Sequence, residues 1–170
     1  VPQIRSSWQD GREISQSAWW LWLWTEAASV GFAACTGAWA WVVASGLGMI
    51  AIMLVLVGAI RNHPPARWPL RFLVPAALAL LIPALLPGGI ALAAWSVTLA
   101  VAEGVSLVAY IPQVRLAWHS GMAASRRRAA PWWIGVLAAA LQVGYALFVA
   151  HDTVWALLLT AHIACAILVA

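Results

Sequence analysis

The chain has no lysine: all nine of its basic residues are arginine, and charged residues make up only 8% of its 170 positions. A soluble domain carries about 25% charged residues, so this composition excludes a water-facing globular surface and points to an integral membrane protein. The formal charge of +4 does not argue for a nucleic-acid partner, because the arginines fall in short segments between apolar runs. The two cysteines, Cys35 and Cys165, lie in different runs and are expected near opposite faces, so no disulfide is expected. Also missing are a nucleophile–base constellation, metal-ligand spacing and a phosphate-binding glycine motif, so no enzyme, cofactor or metal is expected. No signal-peptide pattern opens the sequence.

What remains is 65% hydrophobic, with a mean hydropathy of +0.91. Six apolar runs can be counted, each near the roughly 20 residues that a bilayer core requires. They are Ser17 to Thr36, Trp39 to Ile60, Leu70 to Leu86, Ile90 to Ile111, Trp132 to Ala150 and Thr153 to Ala170. The third carries Pro75 and Pro83 and is expected to be a kinked helix. Arginine placement tests the count. Arg5 and Arg12 precede the first run, Arg61, Arg67 and Arg71 flank the gap after the second, and Arg115 with Arg126, Arg127 and Arg128 follow the fourth. The alternate connections, around Gly37, at Pro87-Gly88-Gly89 and at His151-Asp152, hold none. Six crossings put every arginine on one side, which the positive-inside rule makes cytoplasmic. Most of the thirteen tryptophans fall at expected water boundaries, where an amphipathic indole is favoured.

A step of 110 positions carries Pro2, Gln3, Arg5, Trp8 and Gly11 onto Pro112, Gln113, Arg115, Trp118 and Gly121, and Ser15 and Trp22 onto Ser125 and Trp132, without a gap. The chain is therefore read as two copies of one unit. Each Pro-Gln sits where polar sequence begins, and proline bends or terminates a helix by lacking an N–H and crowding the preceding turn. Four crossings separate the copies, an even number, so the repeats are parallel. No apolar run precedes the first Pro-Gln whereas a full one precedes the second, so the counterpart of that helix is expected to be missing.

These residues resemble the PQ-loop repeat family of transporters, which includes SWEET and SemiSWEET sugar carriers and cystinosin-like exporters. The match rests on Pro2-Gln3 with Gly11, Ile14 and Ser15, and on Pro112-Gln113 with Ser120, Gly121, Ser125 and Trp132-Trp133. The resemblance implies an all-α membrane fold of two parallel triple-helix bundles joined by a linker helix (3+1+3). Six of its seven helices would be present: residues 1–61 the first bundle, 62–89 the linker, 90–170 the second. It also implies a hinge role for Pro2 and Pro112 in alternating access, with Gln3 and Gln113 beside them. The chain departs from the sugar carriers in having no asparagine in Trp39 to Ile60 or Thr153 to Ala170, where Ser45, Thr160 and His162 are the nearest polar residues.

Glu26 lies nine residues into its run from the cytoplasmic end, Glu103 nine residues before Pro112, and His162 nine residues in from Thr153. At 1.5 Å per residue each is about 14 Å deep, near the middle of a bilayer core. Helical phase aligns Trp22, Glu26, Ser29 and Thr36 on one face, and Ser96, Glu103, Ser106 and Tyr110 on another. It also aligns Trp155, His162 and Cys165, and Gln142 with Tyr145. Such stripes face protein or water, because hydrocarbon cannot solvate them.

The expectation is a transporter moving a small polar solute, an amino acid or a sugar-like molecule, by alternating access. Glu103 would be the first candidate proton carrier and Glu26 the second. Trp22, Trp132, Ser45, Ser106, Gln142, Tyr145 and His162 would line its cavity. The alternative is a membrane receptor or scaffold that binds a partner through the Arg126 to Arg128 loop. A composition rich in Ala, Gly, Arg and Pro points to a GC-rich bacterial genome, hence a bacterial plasma membrane.

Overall fold

The computed structural model describes residues 2–9, 15–63, 68–119, 129–148 and 153–169. Among these residues there are seven helices and no strand: α1 (Pro2–Gln9), α2 (Gln16–Thr36), α3 (Trp39–Asn62), α4 (Trp68–Leu85), α5 (Gly88–His119), α6 (Ala129–Phe148) and α7 (Thr153–Val169). The described part of each of the six apolar runs falls on one helix, from α2 to α7, with Leu86 just beyond the end of α4. Two helices, α3 and α5, contain stretches long and apolar enough to cross a membrane. Arg12, Arg67 and the Arg126 to Arg128 loop lie outside the described residues.

Local chemistry sets the helix ends. Ser15 caps α2, its hydroxyl accepting from the Ala18 N–H at 3.4 Å. At the other end Gly37 takes φ +72°, and the Ala38 N–H bonds the Ala33 carbonyl at 2.9 Å, closing a Schellman turn. Only glycine adopts that backbone without strain, and the tight turn reverses the chain directly into α3. Gly88 at φ +49° serves the turn from α4 into α5. Both Pro75 and Pro83 lie within α4, so the third run is one helix.

The run expected to finish at Ile111 behaves differently. Pro112 does not end the helix; α5 continues through it for seven further residues to His119. One missing N–H costs a single backbone bond, and the turns on either side keep theirs. The 110-residue step then lays α1, residue for residue, on Pro112–His119 at the end of α5. Both Pro-Gln copies are thus helical, although the side chains of Pro2 and Gln3 lie outside the described residues.

Packing repeats as well. α3 lies against both α1 and α2, and α7 lies against both α5 and α6. α1 is held on α3 by the Asn62 amide, which donates to the Ser7 carbonyl at 2.7 Å, and by the Trp8 indole, which donates to the Leu54 carbonyl at 3.1 Å. Gly58 makes this approach possible, since a Cβ there would meet Ser7 Oγ at 2.6 Å and Trp8 Cδ1 at 2.7 Å.

The two halves meet along α2 and α5, with α4 packed against both. Trp24, Ala28, Ala76, Leu99 and Ala102 form the apolar core of this seam, flanked by Phe32, Trp41, Leu80 and Val105. Its smallest residue matters most. A Cβ on Gly31 would collide with the buried Trp95 ring, so that ring occupies the space of an absent side chain. Outward faces are apolar at helical spacing: Val43, Leu47, Ile50, Leu54 and Val57 on α3 are all exposed.

Gly31→Val should therefore force apart the α2–α5 seam and cost about 1–3 kcal/mol, as overpacking does. Thermal unfolding in detergent checks this, with Gly46→Ala, whose Cβ meets nothing within 4 Å, as the unaffected control.

Candidate functional site

Along α2, Trp22 and Glu26 are one turn apart and face the same way, while Thr25 points toward α5. The Thr25 hydroxyl is shared between the Leu21 carbonyl of its own helix and the Ala102 carbonyl of α5, each at 3.1 Å. That crossing pins the residue before Glu26 to the residue before Glu103. The two carboxyl groups consequently lie close enough to interact electrostatically.

Each acid has its own partner. Glu26 is hydrogen-bonded by the buried Ser45 of α3, and Gly48 leaves room for it: a Cβ there would sit 3.1 Å from the Glu26 Cδ and Oε1. Glu103 meets His162 of α7, with Oε2 to Nε2 at 3.5 Å and both side chains mostly buried. The imidazole is oriented by its other nitrogen, since Nδ1 donates to the Leu158 carbonyl at 2.8 Å. Ser106, one turn beyond Glu103, places its hydroxyl against His162 Nε2 and also 2.8 Å from the Glu103 backbone carbonyl. Glu103, Ser106 and His162 are thus one hydrogen-bonded group spanning α5 and α7.

Beside it stands a cluster of rings. Trp22 meets Tyr110 at 5.2 Å between ring centroids and Trp132 at 5.8 Å, both edge-to-face. Tyr110 lies 6.0 Å from Trp132 and 5.8 Å from the His162 imidazole, and Trp19 backs Trp22 at 5.3 Å. These are favourable geometries for aromatic pairs. Tyr110 is seven positions on from Glu103 and so sits about 10 Å closer to Pro112, while Trp22 is offset from Glu26 by about 6 Å. Trp22 and Trp132 are counterparts under the 110-residue step, and they touch.

The expected site residues divide accordingly. Trp22, Glu26, Ser45, Glu103, Ser106, Trp132 and His162 are brought together, with Tyr110 completing the group. Gln142 is exposed on α6. The Tyr145 side chain, like those of Pro2 and Gln3, lies outside the described residues. Gln113 is buried beside Pro112 on α5. Two further polar members of the helical stripes bond carbonyls of their own helix, Thr36 those of Phe32 and Ala33 and Ser96 that of Leu92. Thr25 and Gly48 had no place in the sequence reading. Thr25 lies off the Glu26 stripe, and the one available signal was its adjacency to the acid. Among the described residues no group of three or more His, Cys, Asp or Glu side chains forms a metal site, and the free cysteines Cys35 and Cys165 are not paired.

Removing Trp22 and Trp132 separately and together to alanine should reveal a coupling of about 0.5–1.5 kcal/mol in a stability cycle. Additive losses would mean that the rings do not meet. Comparison with family models, with curated proteins and with solved structures returns no match to this chain.

Proposed function

We propose that this chain is a membrane transporter that moves a small polar solute by alternating access between two like-oriented repeated units, residues 1–61 and 90–170, joined through α4, and that proton movement is coupled to it. The observation that carries the reading is the placement of two carboxyl groups, Glu26 and Glu103, on the facing helices α2 and α5, with Ser45 as the partner of the first and His162 as the partner of the second. Acids so placed are costly in an apolar protein and mark solute or proton pathways in membrane carriers. Exposed apolar stripes on the outer faces of the helices suit a lipid surround.

In this reading the Trp22–Tyr110–Trp132 cluster is the barrier on the arginine-bearing, cytoplasmic side of the acids. Its opening requires the two units to part at residues that are counterparts of each other. Pro112, inside a continuous helix, removes the N–H that would bond the Val108 carbonyl and so supplies a bending point; Pro2 occupies the matching place in α1. The Arg126 to Arg128 loop, on which the receptor reading rests, lies outside the described residues.

A thermal-shift screen of the purified chain against amino acids and sugars should yield a stabilising solute. That solute should then accumulate in proteoliposomes under an imposed pH gradient. Glu103→Gln should reduce gradient-driven uptake to the level of protein-free vesicles. Equal accumulation by wild type and variant would remove the proton role, and no flux of any solute would remove transport.

A further inference from the structure

The hydrogen-bond bookkeeping around His162 goes further than a polar lining. A carbonyl only accepts, so the 2.8 Å contact with Leu158 fixes a proton on Nδ1 and leaves Nε2 as the variable nitrogen. Ser106 has one hydroxyl hydrogen and two neighbours, the Glu103 carbonyl and His162 Nε2. When Nε2 carries a proton it donates to Ser106 Oγ, Ser106 donates to the Glu103 carbonyl, and the Glu103 carboxylate balances the imidazolium at 3.5 Å. Every donor then has an acceptor. When Nε2 is bare it must accept, so the Ser106 hydrogen turns from the carbonyl to the imidazole.

We propose that Glu103 and His162 form one proton-holding unit, with His162 Nε2 as the loading point and the Ser106 hydroxyl as the rotor that follows its state. This deepens the transport reading and rests on it for the proton's destination. Loading forms the Nε2–H bond with a proton taken from water on the open side; unloading returns that proton to water on the other, and no electrons change hands. The titratable groups around the pair are Glu26 on α2, which acts on Glu103, and Tyr110 on α5, with Cys165 on α7 facing Tyr110.

The test uses the whole chain in nanodiscs with ¹⁵N-labelled histidine, the His162 signals being identified by their loss in His162→Gln. Nδ1 should stay protonated throughout while Nε2 gains its proton on acidification. In Glu103→Gln the proton affinity of Nε2 should fall at least about tenfold, as expected on losing an opposite charge at this distance. Coupling between the two groups means that His162→Gln should also move the Glu103 carboxyl titration, followed by infrared spectroscopy. Glu103→Asp, which keeps the charge, should retain part of the coupling and serves if the glutamine variant does not fold. A packing role for His162 predicts titrations that ignore each other, and that result, or an Nε2 fixed in one state, overturns the proposal. No solute is needed, so failure here leaves transport standing, whereas coupled titration without flux of any solute would overturn transport alone.

Discussion

The interior chemistry of this chain depends on how closely α2 can approach α5. Two features permit the approach: Gly31, whose missing side chain is replaced by the Trp95 ring, and the small residues Ala28 and Ala102 in the seam core. Once the helices are that close, the Thr25 hydroxyl reaches the Ala102 carbonyl and fixes their axial register. Register decides everything beyond it. A shift of one residue on α5 would rotate Glu103 by about 100° away from Glu26 and His162.

The partners of the two acids follow from what the chain lacks. With lysine absent and the arginines placed between the apolar runs or, for Arg71, at the very start of one, charge in the seam is balanced by histidine or moderated by hydroxyls. Ser45 serves Glu26, whereas His162 with Ser106 serves Glu103. The two acids are therefore chemically unlike. One has a neutral hydrogen-bond donor and the other has a base, so they respond differently to the gain or loss of a proton.

Much of this was legible in the residues. Apolar run length located the helices, and helical phase put Trp22 with Glu26 and Glu103 with Ser106 and Tyr110 on shared faces. Phase acts within one helix, however, and says nothing about which face of a neighbour lies opposite. The contact of His162 with Glu103 depends on how α7 packs on α5, and the contact of Ser45 with Glu26 on the α2–α3 crossing at Gly48. Proline misled for a related reason. Its local cost at Pro112 is one hydrogen bond, while the turns before and after it keep the helix intact, so α5 runs on to His119.

Trp22 and Trp132 stand 110 positions apart in sequence and their rings meet edge-to-face at 5.8 Å between centroids. At the acid and the base that equivalence lapses: 110 positions on from Glu26 stands Val136, and 110 back from His162 stands Ile52. A symmetric assembly of separate half-length chains would be obliged to carry the acid and the base twice. A single polypeptide carries no such obligation, and here one acid–base pair forms beside a pair of rings that the 110-residue step relates.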